Sequence, residues 1–309
     1  MKTVSDDFDA IAAALSSLNA QLQRVATTSI PGLERILASA GKRQRPKLLF
    51  TIVQCAGKPI DSNVINAACA VELVHIASLI HDDILDKGTV RRGVQTISAV
   101  EGTDTALLAG DYLLAQACII AARIDAACGQ IVADTIIQMC KGQAQEITSR
   151  YDVKRTLEDL ITSVEGKTAS LFVASALLGG KLVQVSQPDE EALQIFAKNY
   201  GIAYQFQDDI QDFYQTKSGI GKTANYDYVE GNYTLPILLA LSGPDRPRLK
   251  RLLEQASTHQ QVVALLDKGD YFSQAESQIQ RYKNQATVAI EKIANERLLS
   301  ALSAFATAL

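Results

Sequence analysis

Hydrophobic and polar positions along this chain do not alternate in the short β-branched runs between turn signals that strands require. Instead, alanine and leucine fill long stretches and prolines are sparse. The pattern predicts an all-α protein with helices over 5–28, 45–56, 61–86, 104–125, 127–149, 156–178, 189–214, 234–242, 247–255 and 275–308. Several segments, 104–125 among them, are apolar on much of their circumference, as central members of a large helical bundle are. Glycines gather in "SIPGL", "AGKPIDS", "DKGTVRRGVQ" and "TKSGIGKTANYDYVEGN". None of these breaks has the composition of an interdomain linker, so residues 1–309 read as a single domain.

Composition narrows the class. The hydrophobic share of 47% supports a substantial core, and 30 basic against 34 acidic side chains leave a net charge of −4 with no block of like charges. A nucleic-acid partner is not expected. Cysteines 55, 69, 118, 128 and 140 are odd in number and nowhere spaced CxxC, and read as small buried apolar residues in a reducing compartment. The first twenty residues carry acids and lack a secretory signal's apolar core. "LLAQACIIAA" and "LFVASALLGG" are about ten residues each, too short to span a bilayer. A cytoplasmic protein without a transmembrane segment is the expectation.

The chemistry begins in "HDDILDKGTVRRG". Asp82, Asp83 and Asp86 fall at the end of the helix predicted from residue 61, and positions 82 and 86 share one face. Carboxylates so placed repel one another unless a cation compensates. A surface helix carries such acids often, but "DDIQD" at Asp208, Asp209 and Asp212 repeats the spacing, again at the end of a predicted helix and again after an apolar stretch. Two aspartate-tipped core helices form an oxygen-rich mouth suited to Mg²⁺, which takes one or two carboxylates plus phosphate oxygens and water. The implied ligand is a metal-bound diphosphate. Cations for it stand in the neighbouring loops: Lys42 and Arg45 in "GKRQRP", Arg91 and Arg92 in "RRG", Lys167 in "EGKTAS" and Lys222 in "GIGK". His75 lies seven residues before Asp82, two turns back on roughly the same face. Without a second His or Cys at ligand spacing, zinc is set aside.

Together these residues resemble the trans-prenyltransferase family, the head-to-tail isoprenyl diphosphate synthases, from about residue 38 to 240. "GKRQRP", "LIHDDILDKGTVRRG", "LAGDYLLAQA", "GKTASLF", "YQFQDDIQDF" and "GIGKTANYDYVEGNYTLP" are similar to that family's motifs in order. The resemblance implies that Asp82, Asp86 and Asp208 hold Mg²⁺ on an allylic diphosphate, with Asp83, Asp209 and Asp212 in the same shells. It implies that Lys42, Arg45, His75 and Arg92 hold isopentenyl diphosphate, and that Arg91, Lys167 and Lys222 grip the allylic diphosphate. Thr168 and Gln205 fall where polar groups lie near the ionising carbon. Two positions depart from the pattern: Ala40 replaces the first glycine before the lysine, and Asn232 stands where many members have a lysine.

The implied reaction ionises the allylic C–O bond, adds the isopentenyl double bond to the cation and loses a proton. Short-chain members commonly carry an aromatic floor at the fifth residue before the first motif. Here that residue is Ala77, and Val74, Ala70 and Ala67 further up are not aromatic. The expected product is therefore longer than about twenty carbons, around thirty to forty by family analogy; farnesyl or geranylgeranyl diphosphate synthesis is the shorter alternative. A terpene cyclase would have no use for a second cationic set, and aromatics are 6% with no Trp. A non-catalytic subunit would not need both intact aspartate motifs. The family implies a homodimer, leaves room for a small partner subunit, and allows transient membrane contact for product release.

Overall fold

The computed structural model describes residues 4–26, 29–39, 41–214, 226–255 and 258–309; Lys222 and Ala40 lie outside them. Backbone contacts group the chain into two compact units, the first comprising 1–137, 171–194 and 290–305, the second 138–170, 195–289 and 306–309. Helices α1 (Val4–Ala26), α2 (Leu33–Ala38), α3 (Gln44–Cys55), α4 (Ser62–Leu85), α5 (Ile97–Val100), α6 (Thr103–Ile124) and α7 (Ala126–Thr148) come first. After them run α8 (Leu157–Val164), α9 (Ser170–Val183), α10 (Gln187–Tyr214), α11 (Leu235–Ser242), α12 (Arg246–Glu254), α13 (His259–Lys268), α14 (Tyr271–Ile290) and α15 (Glu296–Thr307). The all-α expectation holds among the described residues apart from one hairpin, β1 (Val90–Arg91) paired antiparallel with β2 (Val94–Gln95).

In the first unit α4 is the central element, packed along α6 and flanked by α1 and α3. Asp61 starts it, its carboxylate accepting from the N–H groups of Asn63 and Val64 at 2.9 and 3.0 Å. Burial then reaches nearly all round the helix, through Ala67, Ala70, Leu73, Val74, Ala77 and Ile80. Close packing on α6 depends on Gly110: a Cβ there would lie 2.1 Å from Nε2 of His81. The expectation for α6 itself needs correcting. Leu107, Leu108 and Ile119 are exposed, so this helix is central on one face only. At 24 and 22 residues, α4 and α6 are also long and apolar enough to cross a bilayer by length and composition, and the ten-residue run "LLAQACIIAA" is only part of α6. Cys55, Cys69 and Cys128 are buried as expected, but Cys118 is half-buried and Cys140 exposed.

The second unit is built on α10. Ile202, Phe206, Ile210 and Phe213 recur at intervals of four and three and sink into a cluster with Leu235, Ile237 and Leu238 of α11, Leu265 of α13 and Phe272 of α14. Burying each such side chain contributes roughly 1.5–3 kcal/mol, which fixes the rotation of α10 about its axis. The helix expected over 156–178 is interrupted by a π-helical turn at Glu165–Ala169. Gly142 and Gly166 press together there: a Cβ on Gly142 would fall 2.4 Å from the backbone N of Lys167. The helix expected over 275–308 is likewise two, α14 and α15.

Candidate active site

The first group of candidate residues gathers at the C-terminal end of α4. Asp82 and Asp86 are half-buried, while Asp83 is 5% exposed and accepts a 2.7 Å hydrogen bond from Nε of Arg91. Burial raises the Asp83 pKa, and the Arg91 charge opposes that rise. Arg91 enters from the hairpin, whose two-residue loop is Arg92-Gly93. Both have positive φ, 52° and 80°, as a primed hairpin turn demands, and so the "RRG" run is the turn that aims both arginines. Arg92 Nη2 meets Nε2 of His75 at 3.4 Å. A guanidinium only donates, so Nε2 of His75 accepts and the ring is neutral there.

His75 carries the electrostatic signature of the site. Its pKa lies well below the ordinary 6.5, first through burial and then through the charges of Arg45, Arg92, Arg43 and Arg91. The positive charge gathered around this imidazole favours an anion there. Arg45 is held with its guanidinium 4.7 Å above the ring of Phe172. Lys42 is exposed, and Gly41 leaves room for Arg92, whose Nη1 would lie 2.6 Å from a Cβ at that position. Sequence reasoning passed over Arg43, the middle member of the basic run. It is buried, with φ 51°, and pairs with Glu72 of α4, tying the loop to the central helix.

The second group lies in the second unit. Thr168 Oγ1 donates to Gln205 Oε1 at 2.8 Å, and Gln205 Nε2 donates to Asp209 Oδ1 at 2.9 Å. The structure thus brings three sequence-predicted residues into one hydrogen-bonded chain. Asp209 is 3% exposed, its Oδ2 buried without a hydrogen-bond partner among the described residues. Burial pushes its pKa up to about 8, against the bond from Gln205. Asp208 and Asp212 are half-buried, and the N–H of Asp227 reaches Oδ2 of Asp212 at 3.4 Å. Lys167 pairs with Glu146 at 2.6 Å, a partner that sequence reasoning missed although "GQAQEI" sets Glu146 one turn past Gly142, where α7 meets the π-turn.

Within the second unit the unsatisfied, buried Oδ2 of Asp209 is an oxygen of the kind a hard divalent cation takes, and within the first unit the carboxylates at the end of α4 are of the same chemical type. Among the described residues no three His, Cys, Asp or Glu side chains already form a metal cluster. An all-α scaffold whose long helices end in aspartate runs, with arginines beside the first of them, is the arrangement to be compared with known proteins.

The comparisons with known proteins give the family. The polyprenyl synthetase model matches residues 31–267. The chain is 30% identical over 312 residues to the heptaprenyl diphosphate synthase component 2 of Bacillus subtilis, covering 98% of this chain and 87% of that protein. It is 33% identical over 277 residues to the nonaprenyl diphosphate synthase of Mycobacterium tuberculosis, covering 87% and 82%. The crystal structure of the heptaprenyl diphosphate synthase from Staphylococcus aureus matches with a TM-score of 0.86 at 26% identity, over 96% of both chains. This chain belongs to the polyprenyl synthetase family and is a prenyltransferase.

Proposed function

We propose that this chain is an all-trans polyprenyl diphosphate synthase that condenses isopentenyl diphosphate head to tail with an allylic diphosphate, with Mg²⁺ as its cofactor. The observation that carries the reading is the hairpin turn that sets Arg92 against a neutral His75 at 3.4 Å and Arg91 against Asp83 at 2.7 Å, in the same unit as the first aspartate motif. In this reading Lys42, Arg45, His75 and Arg92 bind isopentenyl diphosphate, and Arg91, Lys167 and Lys222 bind the allylic diphosphate. By the family resemblance Asp82, Asp86 and Asp208 would hold the metal, and Asp83, Asp209 and Asp212 would support them. When bound, the ion neutralises charge developing on the departing diphosphate. The cationic side chains stabilise that same charge, and holding the two substrates together supplies proximity. Gln205, which the family resemblance sets near the ionising allylic carbon, is fixed by Thr168 and Asp209.

The product we propose is longer than about twenty carbons. Ala77 and Val74 are fully buried on α4 and neither is aromatic, so no ring stands across the path below the first motif at those positions. The family match runs through both units, which supports residues 1–309 acting as one domain. Exposed Leu107, Leu108 and Ile119 on α6 support a homodimer over a membrane-spanning role, because exposed Asp111 lies on the same helix. The relative called component 2 supports keeping a small partner subunit in view. An odd set of cysteines without CxxC spacing supports a cytoplasmic location.

Replacing Asp82 or Asp208 by Ala tests the assignment. Each should cut turnover by roughly three orders of magnitude or more while the melting temperature stays near the parent's, because a ligand oxygen is lost and not a core contact. Near-parental turnover in both variants would overturn it.

A further inference from the structure

The loop between α7 and α8 carries a side chain that neither the aspartate motifs nor the cationic loops account for. Arg155 is 5% exposed. Its Nη1 donates to Oδ1 of Asn232 at 3.2 Å and to the carbonyl oxygen of Tyr233 at 3.4 Å. Its Nε and Nη2 are buried too, and neither has a hydrogen-bond partner among the described residues. A tie between two loops does not need a guanidinium, since a neutral side chain would make the same two bonds without leaving charged donors unmet. Burial lowers the Arg155 pKa, while the carboxylates of Glu146, Asp209 and Asp159 favour its charge.

Asp209 is the mirror image: a buried acid with one oxygen unmet. Both groups answer to the same short stretch: Arg155 holds Asn232 and Tyr233, and the backbone N–H of Leu235, two residues on, opposes the rise in the Asp209 pKa. Asn232 also acquires a reason. A lysine at that position would set an ammonium against a guanidinium at hydrogen-bond range, whereas the asparagine oxygen accepts from it.

We propose that Arg155 is the counter-charge of the second aspartate motif, a positioning residue that delivers from the α7–α8 loop, through Asn232, the positive charge that a lysine at 232 would otherwise bring toward a metal-bound diphosphate. The inference rests on the diphosphate reading above. With Asp208, Asp209, Asp212 and Asp227 close in sequence or contact and Lys167 paired to Glu146, a diphosphate approaching this motif meets repulsion that Arg155 offsets.

Calorimetric titration with MgCl2 alone, and with inorganic diphosphate in excess MgCl2, tests it on the intact chain. Arg155→Gln should weaken diphosphate binding about tenfold or more without weakening binding of Mg²⁺ alone, because a cation has left an acidic site. Adding Asn232→Lys to Arg155→Gln should return diphosphate affinity to within about threefold of the parent. Unchanged diphosphate affinity in Arg155→Gln would overturn the proposal. So would a parallel loss of both affinities that Asn232→Lys does not rescue, the mark of a purely structural tie. If Arg155→Gln does not fold, the double variant decides: a folded protein with parental affinity supports the proposal, and a folded one without it, or none that folds, contradicts it. Product formation from isoprenyl substrates by the parent is a separate arm, whose failure would sink the synthase reading and leave the diphosphate comparison standing.

Discussion

Nε2 of Gln205 donates a 2.9 Å hydrogen bond to Oδ1 of Asp209, one turn further along α10, while its Oε1 accepts from Thr168 at 2.8 Å. With Asp209 ionised the amide faces one way, since turning it over would set two acceptors together at Asp209. Gln205→Leu should therefore lower turnover by about a hundredfold by freeing both Thr168 and Asp209, and should reduce stability by ~1–3 kcal/mol through the bonds left unmade. Steady-state kinetics and a urea titration read the two effects separately. Parental turnover would remove Gln205 from the site.

Adjacent basic residues in "GKRQRP" should behave oppositely. Arg43→Ala leaves Glu72 buried without its partner, at a cost of ~3–5 kcal/mol in stability. Lys42 is exposed, so Lys42→Ala should leave stability within ~0.5 kcal/mol and instead raise the KM for isopentenyl diphosphate. Equal destabilisation by the two substitutions would contradict the assignment of roles.

His75 predicts a pH dependence. Unfolded, it takes up a proton near pH 6.5; folded, it does so only further down, because burial and four arginines oppose the charge. Below 6.5 the unfolded state thus binds more protons, and stability falls with pH by up to ~1.4 kcal/mol per unit; above it the residue contributes no slope. Urea midpoints at neutral and mildly acid pH should converge in His75→Asn relative to the parent. The same acid loss in both proteins would show that His75 is not the source.

Ala77 ties one side chain to product size. Five residues before Asp82 is roughly 7.5 Å up the helix axis, about one or two isoprene units below the metal site. Ala77→Phe should shift the product to about fifteen or twenty carbons while consumption of a short primer stays within about tenfold. Melting of the variant guards against overpacking, which costs ~1–3 kcal/mol when a ring has nowhere to go. An unchanged product distribution from a folded, active variant would mean that the chain does not grow past residue 77.

What the sequence disclosed follows from which forces are local. The long helices around 62–85 and 103–124 and both aspartate runs were legible because apolar composition and carboxylate spacing are carried by neighbours along the chain. The π-turn at Glu165–Ala169 was not, since it answers to the close approach of Gly142 from another helix. Nor could composition tell that Arg43 is buried and Lys42 exposed. Helix α13 had a readable signal, the Thr258 and Gln261 capping box, which was overlooked beside a weak apolar pattern. The hairpin at 90–95 escaped because its turn is Arg-Gly, outside the usual Asn-Gly and Asp-Gly pairs. Arg155 was invisible for a further reason: a lone arginine in a polar loop reads as solvated until burial and the unmet donors are seen.

The central claim is that this chain elongates an allylic diphosphate to a long polyprenyl diphosphate. Incubating the purified chain alone with farnesyl diphosphate, isopentenyl diphosphate and Mg²⁺, then sizing the dephosphorylated products by chromatography, tests it most directly. The account predicts alcohols longer than about twenty carbons, abolished by chelator and by Asp82→Ala. Products that stop at twenty carbons or fewer, or cyclised hydrocarbons, would contradict it, and so would no product either alone or with an added small subunit.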